Sequence, residues 1–151
     1  GWWDYDNQNK KSIKDSSDYF KDWIPHFKET ENSEFIHNVM KKADEEYRSM
    51  ISTLEKYKDD DSIKNIIIVT HTLPDIKYSE NKSITDNSAS QFNSKMNNLF
   101  KYNKISKWIF GHTHCGWEEK KNGIHFICNP RGRPDDHNRE KYSVKEISII
   151  Q

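Results

Sequence analysis

The chain has 151 residues, which is enough for one domain with a hydrophobic core and few for two. Its 24 Lys and Arg residues balance 24 Asp and Glu residues, so the formal net charge of +0 gives no reason to expect nucleic acid or a membrane surface as the principal partner. No segment approaches the roughly 20 apolar residues of a membrane span, no signal segment opens the sequence, and two cysteines make no disulfide framework, so a cytoplasmic location is expected.

Two helices are predicted in the first part of the chain. A short one is expected within the segment from Ser16 to Phe27, where it would stop at Pro25. A long amphipathic helix is expected from residue 33 to residue 58. In the long helix, apolar residues recur at steps of three and four positions, with charged residues between them. The residues expected to face a sheet are Val39, Met40, Tyr47, Met50 and Leu54.

A strand–helix–strand unit follows. The run IKNIIIVT, from Ile63 to Thr70, is apolar on both alternate faces, which predicts a strand buried on both sides. A helix is expected to begin at Ser88, where Gln91 completes a capping box, and KWIF, from Lys107 to Phe110, predicts the next strand. Such a βαβ unit implies that its two strands are parallel.

The last part of the chain predicts further strands. These are GIHFIC, from Gly123 to Cys128, and YSVKEISII, from Tyr142 to Ile150. The segment from Glu118 to Gly123 predicts a hairpin connection with Asn122-Gly123 at its turn. The order of elements predicts a single α/β domain.

Three histidines follow the two parallel strands directly. His71 comes after the strand that ends at Thr70, and His112 and His114 come after the strand that ends at Phe110. Ligands of open α/β sheets collect at the carboxyl ends of parallel strands. We therefore expect all three imidazoles at one edge of the sheet, with their ring nitrogens facing a common space.

The spacing of the second pair fits metal binding. In extended backbone, residues two apart lie on the same side with roughly 6.6 Å between their Cα atoms. One imidazole can then reach each of two metal ions about 3.5–4 Å apart. Gly111 is expected to allow a sharp backbone bend beside the ions. The other interpretation of an H-x-H pair at a strand end is a hydrogen-bonded loop.

Three motifs together resemble the calcineurin-like metallophosphoesterases. They are IIIVTHTLP (Ile66 to Pro74), WIFGHTH (Trp108 to His114) and FICNPRG (Phe126 to Gly132), and their order and spacing match the bacterial-type branch of that family. The resemblance extends from about Asn65 to the C-terminus. It implies a two-sheet sandwich flanked by helices, of which this chain would be the C-terminal half.

The resemblance also implies a dinuclear site and a phosphate-ester substrate. His71 and His112 would ligate one divalent metal and His114 the other, the metals being Mn, Fe, Zn or Mg. The family takes its other ligands from D-x-H, G-D-x-x-D and G-N-H-[DE] motifs, and none of these occurs in this sequence. Residues 1–151 are therefore expected to be the C-terminal part of one domain, inactive alone, whose partner is the missing N-terminal half.

Two other functions stay open. The chain is otherwise a non-catalytic binding or structural module derived from a degenerate phosphoesterase. In a third hypothesis, His71, His112 and His114 form a mononuclear zinc site, since three imidazoles without carboxylates suit one zinc better than a dinuclear hydrolase. No substrate-binding residue can be named.

The remaining polar residues are interpreted as structural or solvated. His37 and His125 are expected to be structural or exposed, as are His26 and His137. Arg131 and Arg133 are expected to be solvated arginines in a tight turn, and no role is assigned to Asp135 or Asp136.

Overall fold

The computed structural model describes residues 2–14, 32–80, 91–136 and 139–149. The predicted helix from Ser16 to Phe27 and the predicted helix start at Ser88 lie outside these residues. The long predicted helix is present as α1, Asn32–Tyr57. The strands are β1 (Ile66–Val69), β2 (Ile105–Ile109), β3 (Trp117–Lys121) and β4 (Ile124–Cys128), and 3₁₀ helices span Ile76–Tyr78, Met96–Lys101 and Arg139–Lys141.

The four strands form one mixed sheet in the order β1-β2-β4-β3. β1 pairs parallel with β2, which confirms the parallel pair expected of the βαβ unit, and β2 pairs parallel with β4. β3 and β4 form the predicted hairpin, antiparallel, with Asn122 and Gly123 both at positive φ in the turn. The protein is thus an α/β fold, as the sequence predicts.

The prediction that β1 is buried on both sides is wrong. Ile68 is buried in the core, whereas Val69 is 68% exposed and Ile66 and Ile67 are partly exposed. β1 is the first strand of the sheet order and it is also shorter than predicted. An apolar run therefore marked the strand correctly without specifying how many of its faces are covered.

The helix predicted before β2 is replaced, in its described part, by a turn and a 3₁₀ helix. The expected inner residues Phe92, Met96 and Leu99 are buried. The Asn93 side chain accepts a hydrogen bond from the Lys95 backbone N–H at 3.1 Å, a local bond that competes with a regular helix. The apolar pattern thus predicted the burial of this segment but not its backbone.

The predicted last strand does not form in the described residues up to 149. Its backbone is irregular, with Val144 80% and Ile149 64% exposed. The Asn129 side chain donates to the Ser143 carbonyl, and Lys145 pairs with Glu118. Strand propensity acts through packing and pairing partners, and none of the described strands pairs with this segment.

Helix α1 joins two hydrophobic clusters. Its C-terminal half packs on the sheet core, the cluster built around Trp108, where Leu54 is 3% exposed and Tyr47 and Met50 are partly buried. Its N-terminal half packs on an N-terminal aromatic cluster consisting of Trp3, Tyr5, Phe35 and Val39. The expectation that Val39 and Met40 face the sheet is therefore wrong, because both pack against this second cluster.

The N-terminal segment that contributes Trp3 and Tyr5 to the aromatic cluster contains a left-handed turn. Residues Tyr5–Gln8 all have positive φ, between 53° and 65°. The turn is fastened at one end by Asp4, whose carboxylate accepts hydrogen bonds from the Ser94 N–H at 3.0 Å and the Ser94 hydroxyl at 2.5 Å. In the part of the chain described, no helix is long and apolar enough to cross a membrane.

Candidate metal centre

His71 and His112 lie side by side just beyond the ends of β1 and β2. The strands are joined there by hydrogen bonds from the Thr70 N–H to the Ile109 carbonyl, at 2.9 Å, and from the Gly111 N–H to the His71 carbonyl, at 3.1 Å. The parallel pairing of β1 and β2 carries both chain segments to the same sheet edge. The prediction that these two histidines meet is confirmed.

The backbone on either side of His71 is held by a buried hydrogen-bond chain. Trp108 donates its indole N–H to the Thr70 hydroxyl at 3.1 Å, and that hydroxyl donates to the Thr72 carbonyl at 2.7 Å. Thr70 and Thr72 are both buried, while His71 between them is exposed. The sheet core therefore fixes the direction in which His71 leaves the strand.

The two imidazoles have a geometry that suits one metal ion. His112 Nδ1 lies 3.2 Å from His71 Nε2, and the ring centroids are 5.0 Å apart at an interplanar angle of 65°. Two nitrogens bound tetrahedrally to one zinc at about 2.0–2.1 Å lie roughly 3.3 Å from each other. The same 3.2 Å separation also fits an N–H···N hydrogen bond between neutral rings.

The sharp bend is centred on His112 rather than on Gly111. His112 has φ of 66°, and the Thr113 N–H donates to the Gly111 carbonyl at 2.9 Å, which closes a three-residue γ-turn. A γ-turn with positive φ is strained for a residue with a side chain, and such strain concentrates at functional sites. The glycine provides no left-handed backbone here, since its φ is not positive.

Both imidazoles of the pair are neutral at pH 7. Burial, reinforced by the neighbouring His71 and His114, lowers the pKa of His112 to about 4. Neighbouring groups that shield part of its ring from water also lower the pKa of the otherwise exposed His71 below its usual value. A neutral imidazole is the form that donates an electron pair to a metal, so the protonation state fits the proposed ligands.

His114 has a different hydrogen-bond partner. Its Nδ1 lies 2.9 Å from Asp136 Oδ2, and the two side chains are 39% and 25% exposed. Residues 112–115 form a bend, so the expectation of an extended backbone from His112 to His114 is wrong. The structure thus brings two of the three predicted ligands into contact and gives the third a carboxylate.

Asp136 is the site residue that sequence reasoning missed. It ends a tight turn in which the Asp136 N–H donates to the Arg133 carbonyl at 3.1 Å. Pro134 just inside the turn and the aspartates after it are a recognisable turn signal, but nothing in that signal indicates contact with a histidine more than twenty positions earlier. Arg131 and Arg133 are exposed near this turn, as predicted.

A cleft of about 640 Å³ adjoins the same turn, and Asp136 is part of its wall. Arg131 and Arg139 supply positive charge to the cleft, and Asp135, Asp136 and Glu140 supply negative charge. The cleft therefore carries mixed charge and does not by itself favour an anionic ligand.

Within the four described ranges, no three His, Cys, Asp or Glu side chains are grouped closely enough to hold a metal ion. Of the three histidine rings expected to face one common space, those of His71 and His112 are in contact with each other, and that of His114 contacts Asp136. The spacing and neutral charge of the His71 and His112 rings fit two of the ligands of one divalent metal. Comparison of the chain with family models, with curated proteins and with solved structures gives no match.

Proposed function

We propose that this chain carries the C-terminal metal ligands of a metal-dependent phosphoesterase whose complete domain is a calcineurin-like two-sheet sandwich. His71 and His112 would bind one divalent metal, and His114 would bind a second. The observation that supports this most strongly is the 3.2 Å approach of His112 Nδ1 to His71 Nε2 at the end of two parallel strands. Two neutral imidazoles so placed are pre-positioned donors.

The chemistry of the proposed reaction explains the need for such donors. A pair of divalent cations would neutralise a phosphate ester, lower the pKa of a bound water and stabilise the attacking and leaving oxygens. The residues of this chain would hold the cations through uncharged nitrogens, which leaves the positive charge uncancelled. The buried chain from Trp108 through Thr70 to Thr72 keeps His71 in place for that task.

In the complete domain, the remaining metal ligands would come from an N-terminal half that lies outside these 151 residues. They would be carboxylates, an asparagine and a histidine from the D-x-H, G-D-x-x-D and G-N-H-[DE] motifs, which the sequence lacks. The free thiols of Cys115 and Cys128 are compatible with a reducing compartment, so the proposal places the protein in the cytoplasm.

Metal binding by the isolated chain is the first test. Calorimetric titration with Zn²⁺ should show binding that falls at least about tenfold in His71→Ala and in His112→Ala, since each substitution removes one donor of a two-donor site. His37→Ala is the matched control because His37 is exposed on α1, in the half of the helix that packs on the N-terminal aromatic cluster. Equal zinc affinity in all four proteins would contradict the proposal.

Hydrolysis is the second test. The 151-residue chain should cleave bis-p-nitrophenyl phosphate hardly above background with Mn²⁺, because it lacks the carboxylates that would hold a metal pair. A protein that joins this chain to the three missing motifs should be active, and His114→Ala in that protein should reduce turnover sharply while His37→Ala should not. Robust metal-dependent hydrolysis by the 151-residue chain alone would overturn the division of ligands between two halves.

One observation favours the non-catalytic alternative. The contact between His71 and His112 is also a reasonable hydrogen bond between neutral imidazoles, which would make the pair a structural clasp between β1 and β2. In that case Zn²⁺ would not bind, and replacing either histidine would lower the free energy of unfolding. Elemental analysis tests the mononuclear alternative, which requires about one zinc ion per chain.

A further inference from the structure

We propose that Asp136 is a positioning residue that keeps Nδ1 of His114 protonated and so leaves Nε2 free to donate its electron pair to a metal ion. The metal part of this inference rests on the proposed function. The control of the His114 ring by Asp136 depends only on their contact.

The contact determines the tautomer because an ionised carboxylate can only accept hydrogen bonds. His114 Nδ1 lies 2.9 Å from Asp136 Oδ2, so the proton of a neutral ring is held on Nδ1. Nε2 then carries the lone pair. Metal-binding histidines are commonly oriented in this way by a carboxylate on the second ring nitrogen.

The carboxylate is itself fixed by the turn that precedes it. The Arg133 N–H donates to Asp136 Oδ2 at 2.5 Å. The oxygen that faces His114 is also the one held by the backbone, so the turn limits the freedom of the pair.

Gly132 makes room for this arrangement. Its φ is +77°, and a Cβ atom at that position would lie 2.8 Å from Asp136 Oδ2. Any larger residue would strain the backbone and push the carboxylate away from His114. The Arg139 guanidinium donates to the Gly132 carbonyl at 3.1 Å, which ties the glycine to the following 3₁₀ helix.

His114 differs in this respect from the other two candidate ligands. Among the described residues, His71 and His112 have each other as ring partners, and it is His114 that has a carboxylate within hydrogen-bonding distance. A loop that held Asp136 only for its own turn would not need to bring the carboxylate to an imidazole. The pairing therefore gives the third histidine a defined orientation that its bent, partly exposed backbone does not provide.

The test reads the tautomer directly. Nitrogen-15 spectra of the metal-free chain at about pH 8 should show the neutral His114 ring protonated on Nδ1. Asp136→Ala should shift His114 toward the Nε2-protonated form, whereas Asp136→Asn, which keeps an acceptor oxygen and the Arg133 bond, should retain most of the original tautomer. Asp135→Ala is the matched control, since Asp135 is the exposed neighbour in the same turn. His114→Gln assigns the resonance.

Zn²⁺ titration followed at the His114 resonance gives the second readout. Asp136→Ala should raise the apparent Kd at His114 by about 10–100-fold, and Asp136→Asn should raise it less. The His71 resonance in the same spectra should respond to zinc equally in all variants, so general damage to the fold is separated from a local effect. His71→Ala should weaken zinc binding at the pair and leave the His114 tautomer unchanged.

Two outcomes would overturn the inference. One is a His114 ring that is not protonated on Nδ1 in the unsubstituted chain, or that keeps its tautomer in Asp136→Ala. The other is a changed tautomer with unchanged zinc affinity at His114, which would reduce the contact to a structural one. If zinc fails to bind at all, the proposed function fails with the metal part of the inference, and the spectra still decide whether Asp136 controls the ring.

Discussion

The C-terminal half of α1 packs against a regular sheet, whereas its N-terminal half packs against a segment whose backbone is left-handed over four residues. In the sheet core, strand propensity, burial and hydrogen bonding all favour the same structure. In the N-terminal segment, the turn at Tyr5–Gln8 opposes the backbone preference of L-residues, and packing of Trp3 and Tyr5 has to compensate. A structure is specific and stable where backbone preference, burial and hydrogen bonding favour the same conformation.

This difference matters for function because the candidate metal ligands extend from the sheet core, the region in which these preferences are consistent. His71 and His112 lie two and three residues beyond the ends of β1 and β2, and the segments that carry them are joined by the hydrogen bond from the Gly111 N–H to the His71 carbonyl. The γ-turn at His112, whose φ is positive, is strained, and it lies at the proposed site. A rigid sheet can keep such a turn in its strained conformation. The N-terminal segment is itself strained at Tyr5–Gln8 and provides no comparable support.

The largest expected effect is in the sheet core. Trp108→Ala should lower the free energy of unfolding by about 3–5 kcal/mol, because Trp108 is fully buried and its indole also anchors Thr70. Urea unfolding followed by circular dichroism measures this change. Trp108→Phe keeps most of the volume but loses the indole donor, and it should cost less.

Trp3→Ala is the counterpart in the N-terminal aromatic cluster. Trp3 is 9% exposed and belongs to a smaller cluster, so we expect a smaller loss than for Trp108→Ala. A loss as large as that of Trp108→Ala would show that the N-terminal aromatic cluster contributes as much packing energy as the sheet core and would remove the contrast between them.

The sequence predicted the consistent region well because the controlling interactions there are local or follow from strand order. Two apolar runs sufficed to place β1 beside β2 in parallel, and the parallel pairing placed His71 beside His112. By contrast, the contact of His114 with Asp136 depends on how a turn after β4 folds back. No spacing rule relates two loop residues that are brought together by the whole sheet.

The N-terminal segment shows a second limit. Asp6 and Asn7 belong to the residue types that tolerate positive φ, but Tyr5 and Gln8 do not favour it, so four successive left-handed residues have no sequence signature. The segment after β4 shows a different limit. Its sequence predicted a strand, and none of the described strands pairs with it.

A pH effect is expected at the sheet edge, where the pKa of His112 is lowered. The folded-state pKa of His112, about 4, lies below the usual 6.5, so between these values the unfolded chain binds more protons than the folded one. The contribution to the free energy of unfolding is therefore complete above about pH 6.5 and is lost as the pH falls toward 4. Tyr5, in the other region, has a pKa raised by burial to about 12 and does not titrate in this range.

Urea midpoints measured in EDTA at about pH 7.5 and pH 5 test this effect. The midpoint of the unsubstituted chain should decrease at the lower pH, and His112→Gln should show a smaller decrease because the imidazole is gone. Exposed His37 provides the control substitution His37→Gln, which should leave the pH dependence as it is. An unchanged pH dependence in His112→Gln would mean that other groups cause the loss.

The smallest expected effect gives the sharpest comparison between the two regions. Replacement of an exposed residue by glycine should raise the free energy of unfolding in one region and lower it in the other. Gln8 is exposed with φ of 65°, where glycine is favoured over a residue with a side chain, so Gln8→Gly should raise the free energy of unfolding by up to about 1 kcal/mol. Lys41 is exposed within the right-handed α1, and its ion pair with Glu45 is long at 4.0 Å. Lys41→Gly should therefore lower the free energy of unfolding by about 0.5–1 kcal/mol through lost helix propensity. Urea unfolding of both variants and of the unsubstituted chain measures the two changes, and a destabilising Gln8→Gly would mean that the left-handed turn is not the conformation that residues 5–8 adopt in solution.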